Sequence, residues 1–169
     1  SAGGAERVMS RMANHWAGKG WEVVLLTHLG RDMDFYPLHP GVNRIPLDLT
    51  TSGRPLSTML CLARTLLAVR RKIMALRPDV VISFTYKTNI LTLISAIGTG
   101  IPVVISERVD PKRLPLRTLQ GCTWSTLRRL TYRRAAALVM QTANLRPWAE
   151  SLVPADKVRV IGNPTAIPA

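Results

Sequence analysis

Apolar residues recur at helical spacing from Ala5 to Lys19, with Val8, Met9, Met12, Ala13 and Trp16 on one side and Arg7, Ser10, Arg11 and Asn14 on the other. That pattern predicts an amphipathic helix. Gly18 and Gly20 end it, and Trp21 to Thr27 follows as an unbroken apolar run, the signature of a strand covered on both faces. Between Gly30 and Gly53 the residues Pro37, Pro40, Gly41 and Pro46 leave room for two short extended pieces, near Phe35 to Leu38 and Arg44 to Leu49. Leu56 to Leu76 predicts a long helix with Met59, Leu62, Leu66, Val69, Ile73 and Leu76 facing inward, stopped by Pro78.

The rest alternates strictly. Strands are expected at Asp79 to Ser83, Ile101 to Ser106, Ala137 to Gln141 and Lys157 to Ile161, and helices at Thr88 to Ile97, Thr123 to Arg134 and Pro147 to Leu152. Such alternation predicts an α/β domain with a mostly parallel, doubly wound, Rossmann-like sheet. A domain of this class opens with a strand that feeds its first glycine turn, whereas this sequence begins at the turn, so a first strand is expected to be missing.

Composition narrows the class. The 169 residues suit one domain with a proper core, and 47% apolar content argues against disorder. Lys and Arg number 23 against 10 Asp and Glu, a formal net charge of +13, which calls for an anionic partner. Nucleic acid, an acidic membrane surface and a phosphorylated small molecule all meet that requirement, as does a solvated basic face with no partner. Two cysteines, Cys61 and Cys122, support neither a disulfide framework nor a zinc site, and point to a reduced compartment. The most apolar stretch, Asn89 to Ser106, is interrupted by Gly98, Gly100 and Pro102 and is no membrane span. The first residues carry no signal-peptide pattern, so a cytoplasmic location is expected.

In this fold class ligands sit beyond the carboxyl ends of the strands. Gly3-Gly4, just before the first helix, offers free amides and a helix dipole to a phosphate, or is a plain turn. Tyr86, Lys87 and Asn89 follow the strand ending at Ser83 and suit a polyol or phosphate, although Thr88 or Asn89 also serves as a helix cap. Glu107 and Arg108 follow the next strand. Arg108 suits bidentate contact with a diphosphate, and Glu107 suits orienting or deprotonating a hydroxyl; an internal ion pair explains both equally well. Lys112, Arg113, Arg117, Arg128, Arg129, Arg133 and Arg134 then alternate with leucines and Trp124, a pattern for an anionic membrane surface, as are Arg64 and Arg71 on the long helix. The alternative is a set of solvated arginines packing their stems. His15, His28 and His39 form no catalytic or metal-binding pattern and are expected in core or loops, as Trp16 and Trp148 are in the core.

Taken in order, G-G-A-E-R, W-E-V-V-L-L-T, R-P-D-V-V-I-S-F, G-I-P-V-V-I-S-E-R and K-V-R-V-I-G-N-P resemble the family-4 retaining glycosyltransferases of the GT-B fold, over Gly3 to Pro164. The resemblance implies residues 1–163 as an N-terminal, acceptor-side domain and 164–169 as the start of an interdomain linker. It also implies a nucleotide-sugar co-substrate and no cofactor or metal, with Gly3 and Gly4 approaching the donor diphosphate. Among the residues read above, Tyr86, Lys87, Asn89, Arg108 and Lys112 are then expected at the acceptor, with Glu107 as the catalytic residue. Transfer would proceed with retention, the donor phosphate assisting departure. The family's paired glutamates lie in the other domain, so this chain alone is expected to be inactive. Many members have a histidine where this chain has Glu107. The sequence S-E-R followed by D-P is similar instead to members that extend polyprenyl-diphosphate-linked saccharides, which implies work at the inner face of the cell membrane. The rival readings are a nucleic-acid-binding module, a nucleotide-sugar epimerase of related fold and a non-catalytic remnant.

Overall fold

A computed structural model describes residues 4–27, 36–47, 55–108 and 118–162. These fall into two units, Ser1–Ala68 and Val69–Ala169.

In the first unit, helix α1 (Gly4–Gly18) buries Val8, Ser10, Ala13 and Ala17, and strand β1 (Val23–Thr27) pairs in parallel with β2 (Val42–Pro46). The predicted extended piece near Phe35 to Leu38 is not a strand over its described residues. Asn14 holds it to the helix instead: its Nδ2 donates to the Pro37 carbonyl at 3.0 Å and its Oδ1 accepts from the His39 amide at 2.7 Å. His39 is the loop residue expected, accepting the Gly41 amide on Nδ1. Trp16, by contrast, is only half-buried, stacked on Trp21 with centroids 6.0 Å apart.

Helix α2 (Pro55–Leu76) runs from the first unit into the second. Its inward face is narrower than predicted: Thr65, Val69 and Ile73 are buried, while Met59 and Leu76 are exposed.

The second unit is a four-stranded parallel sheet in the order β3 (Val81–Phe84), β4 (Val103–Ser106), β5 (Ala137–Met140), β6 (Val158–Val160). Helices α3 (Tyr86–Ser95), α4 (Leu119–Tyr132) and α5 (Arg146–Glu150) connect the strands. Consecutive strands that lie side by side and all parallel require a crossover each, which these helices supply. The core gathers Ile90 and Leu93 of α3, Val103 and Ile105 of β4, Tyr132 of α4, Leu138 and Met140 of β5, and Ala149 of α5. Between α3 and β4 the chain turns through Gly98 and Gly100, both at positive φ, where a side chain would be strained. Helix α4 begins four residues before its predicted start, because the Thr118 hydroxyl caps it by accepting the Gly121 amide at 3.0 Å.

Candidate functional site

The candidate site lies in the second unit, where β3 and β4 end together. Phe84 and Ser106 are paired in register, so the residues after them leave the sheet from adjacent points. After β3 the chain enters α3 within one residue. Thr85 makes this possible by adopting φ 68°, ψ 146°, a region that side chains avoid. The amide of Thr85 donates to the Ser106 carbonyl at 3.1 Å and its carbonyl accepts from the Asn89 amide at 2.8 Å, which holds the turn from both sides.

Among the described residues, Lys87 and Arg108 stand on this edge, the first beside two aromatic rings and the second beside one. The ammonium of Lys87 lies 5.8 Å from the Tyr86 ring centre and 5.7 Å from that of Trp124, and those two rings meet edge to face at 6.2 Å. The guanidinium of Arg108 lies 5.2 Å from the Phe84 ring centre, and partial burial lowers its pKa from the usual value. Rings hold such cations by their quadrupole.

Behind the edge runs a buried polar chain. Ser83 Oγ donates to Asn89 Oδ1 at 2.7 Å; Asn89 Nδ2 donates to the Ser106 carbonyl at 3.1 Å and to Tyr132 Oη at 3.3 Å. Tyr132 in turn donates to Glu107 Oε1. Asn89 and Tyr132 are 0% exposed and Glu107 3%. Burial raises the Glu107 carboxyl from 4.5 to about 7, against the opposing pull of the Tyr132 hydrogen bond and the Arg128 charge. The same burial, with the neighbouring carboxylate, pushes the Tyr132 phenol far above its usual range. Arg128 itself is 5% exposed, its guanidinium 4.9 Å from the Trp148 ring centre, with Nε and Nη1 buried and without a hydrogen-bond partner.

Of the residues singled out from sequence, Tyr86, Lys87 and Arg108 are thus brought to one edge. Two expectations change. Asn89 does not face a ligand, because its amide is committed on both ends inside the protein. Nor does Glu107 stand on the edge with Arg108: its carboxylate turns inward to Tyr132. The capping role considered for Thr88 and Asn89 also falls away, since α3 begins at Tyr86 and both lie within its first turn. Gly4 opens α1 in the first unit, exposed, with open space where a Cβ would stand. Arg64, Arg71, Arg129 and Arg133 are exposed, whereas Arg128, grouped with them by sequence, is buried. Gly3, Lys112, Arg113, Arg117, Asn163 and Pro164 lie outside the described residues. Sequence reasoning missed Tyr132, and it read Arg128 and Trp124 as part of a basic surface segment rather than as neighbours of this site. The usable signal was a polar side chain at an inward helical position, as when Arg128 falls one turn from Trp124 and Tyr132.

A chain of alternating helices and parallel strands is Rossmann-like in class. In fold it is similar to the UDP-N-acetylglucosamine 2-epimerase of Rickettsia bellii, with a TM-score of 0.66 over 94% of this chain and 42% of that one, at 15% identity. The chain belongs to the glycosyl transferase 4-like domain family, whose model matches residues 3–164. Among curated proteins it is 26% identical over 164 residues to a Campylobacter jejuni enzyme named as a GalNAc-alpha-(1->4)-GalNAc-alpha-(1->3)-diNAcBac-PP-undecaprenol alpha-1,4-N-acetyl-D-galactosaminyltransferase. That match takes in 97% of this chain and 43% of the relative, so the chain spans less than half the relative's length.

Proposed function

We propose that this chain is the acceptor-side half of a retaining glycosyltransferase that moves a sugar from a nucleotide-sugar to a polyprenyl-diphosphate-linked glycan, and that the domain alone transfers none. One observation carries the reading: Lys87 and Arg108 leave adjacent parallel strand ends, each braced by aromatic rings, which suits a grip on a diphosphate. The ring faces of Tyr86 and Trp124 add an apolar wall for a sugar. Gly4, which opens α1, and Gly3 before it in sequence take the donor phosphate, and Lys112 serves the acceptor. Glu107 acts from behind this edge. The Campylobacter relative, named for a diphosphate-linked acceptor, favours the same substrate class.

A membrane-borne acceptor also gives the exposed cations a purpose. Helix α2 leaves Leu60, Leu67 and Met74 exposed at seven-residue spacing, with Arg64 and Arg71 exposed between them. Apolar groups flanked by arginines suit a peripheral contact with anionic lipid at the cytoplasmic face of the cell membrane, and Arg113, Arg117, Arg129 and Arg133 add to it. Among the described residues no helix is long and apolar enough to cross a membrane.

The test compares a diphosphate-linked acceptor with the same glycan lacking phosphate, in the full-length enzyme. Arg108→Ala and Lys87→Met are each expected to raise KM for the diphosphate-linked acceptor roughly tenfold, the worth of one charge-assisted hydrogen bond, with little effect on the unphosphorylated one. Unchanged acceptor kinetics in variants that remain folded would refute the assignment.

A further inference from the structure

The edge that carries Lys87 and Arg108 is set by groups that never reach it. Thr85 holds a backbone conformation unfavourable for threonine, and its side chain caps no amide of α3, its hydroxyl donating to Thr88 Oγ1 at a long 3.4 Å. What fixes the turn lies beneath. The Ser106 carbonyl, last of β4, receives both the Thr85 amide and Asn89 Nδ2, so one oxygen ties the turn, helix α3 and the end of β4 together. Asn89 is steadied by Ser83 on one side and by Tyr132 on the other, and Tyr132 passes the connection from α4 to Glu107, whose own amide donates to the Val139 carbonyl of β5 at 3.0 Å. The chain of contacts therefore links β3, α3, β4, α4 and β5 at one end of the sheet. A plain structural cross-tie has no need of a strained residue immediately before Tyr86 and Lys87.

We infer that Asn89 and Tyr132 are positioning residues: their buried hydrogen bonds hold the Thr85 turn against the end of β4 and so set the spacing of Lys87 and Arg108 to that of the acceptor's anionic group. This rests on the proposed glycosyltransferase reading and deepens it. Neither residue touches the acceptor. Loss of their bonds lets the turn relax toward ordinary backbone geometry, which moves Lys87 away from Arg108 and weakens binding of the acceptor ahead of the chemical step.

The experiment uses the full-length enzyme, a polyprenyl-diphosphate-linked glycan as acceptor, and inorganic pyrophosphate as a direct binding probe. Tyr132→Phe removes only the hydroxyl, and Thr85→Gly relieves the strain that the buried chain opposes. Tyr132→Phe is expected to raise acceptor KM and to weaken pyrophosphate binding by roughly fivefold to tenfold, with kcat and donor KM within about twofold. Thr85→Gly alone is expected to leave these values within about twofold and, added to Tyr132→Phe, to recover most of the loss, a rescue that a purely structural role does not produce. A folded Tyr132→Phe variant with unaltered acceptor KM would overturn the inference, as would a double variant with no recovery or losses in kcat, donor KM and acceptor KM that merely track loss of folded protein. If the unaltered enzyme uses no diphosphate-linked acceptor and binds no pyrophosphate, the functional reading fails and this inference with it; if it does both and Tyr132→Phe matches it, the inference alone fails.

Discussion

Replacing Glu107 with glutamine isolates the cost of a buried charge. In the folded protein the carboxyl titrates at about 7, against 4.5 when freely solvated. Its folded value is raised, so the proton is held more tightly in the native state than in the unfolded one. The resulting stability is fully present below pH 4.5, declines as pH rises toward 7 and is lost above it. A displacement of that size corresponds to about 3 kcal/mol across the window. Glu107→Gln keeps the size and a carbonyl acceptor for Tyr132 but cannot ionise. Its stability should therefore be nearly flat with pH, below or near the parent at pH 4.5 and above it at pH 8 by up to about 3 kcal/mol. Denaturant midpoints measured at intervals from pH 4.5 to 8.5 on both proteins give the difference directly. Parallel curves would refute the assignment of this titration to Glu107.

Other expectations follow from the same packing. Arg128→Met keeps the stem against Trp148 and removes two unpartnered buried donors, so it should be near neutral at pH 5. Above pH 7 it should destabilise, because Glu107 then ionises without its cationic neighbour: the stability decline measured by denaturant starts at the same pH as in the parent but continues to higher pH. Arg70 Nη1 donates to the carbonyls of Ser95 at 3.0 Å and Ile97 at 2.7 Å, at the C-terminal end of α3. Arg70→Ala should lower the denaturation free energy by about 1–2 kcal/mol, read from urea unfolding.

The alternation of helix and strand was legible because both faces of a parallel sheet are covered, which makes strands such as Val103–Ser106 apolar throughout and separates them cleanly from amphipathic helices. The edge was legible for the same reason: once β3 and β4 are placed, Tyr86, Lys87 and Arg108 must follow their carboxyl ends. What sequence did not reveal was depth. Asn89 looks like a loop or cap residue because a threonine at positive φ is not anticipated, and so α3 was expected to start two residues late. Arg128 resembles its neighbours Arg129 and Arg133 in type, and only its place on the inward side of α4, over Trp148, separates it from them. On α2 the apolar surplus ran beyond the buried face, which is why Met59 and Leu76 were misplaced.

The inward turn of Glu107 bears on how the proposed anion-binding edge can sit beside an acid. A carboxylate lying next to Lys87 and Arg108 would cancel part of the attraction they exert, and at short range a like charge opposes a diphosphate as strongly as a cation favours it. Burial against Tyr132 answers this in two ways. It withdraws the carboxyl from the edge, and by raising its pKa to about 7 it keeps a substantial fraction neutral near physiological pH. When Glu107 does ionise, the charge of the buried Arg128 guanidinium offsets it. On the proposed reading, the acid then serves as a hydrogen-bond acceptor for the chain that sets the Thr85 turn while its own charge is kept away from Lys87 and Arg108.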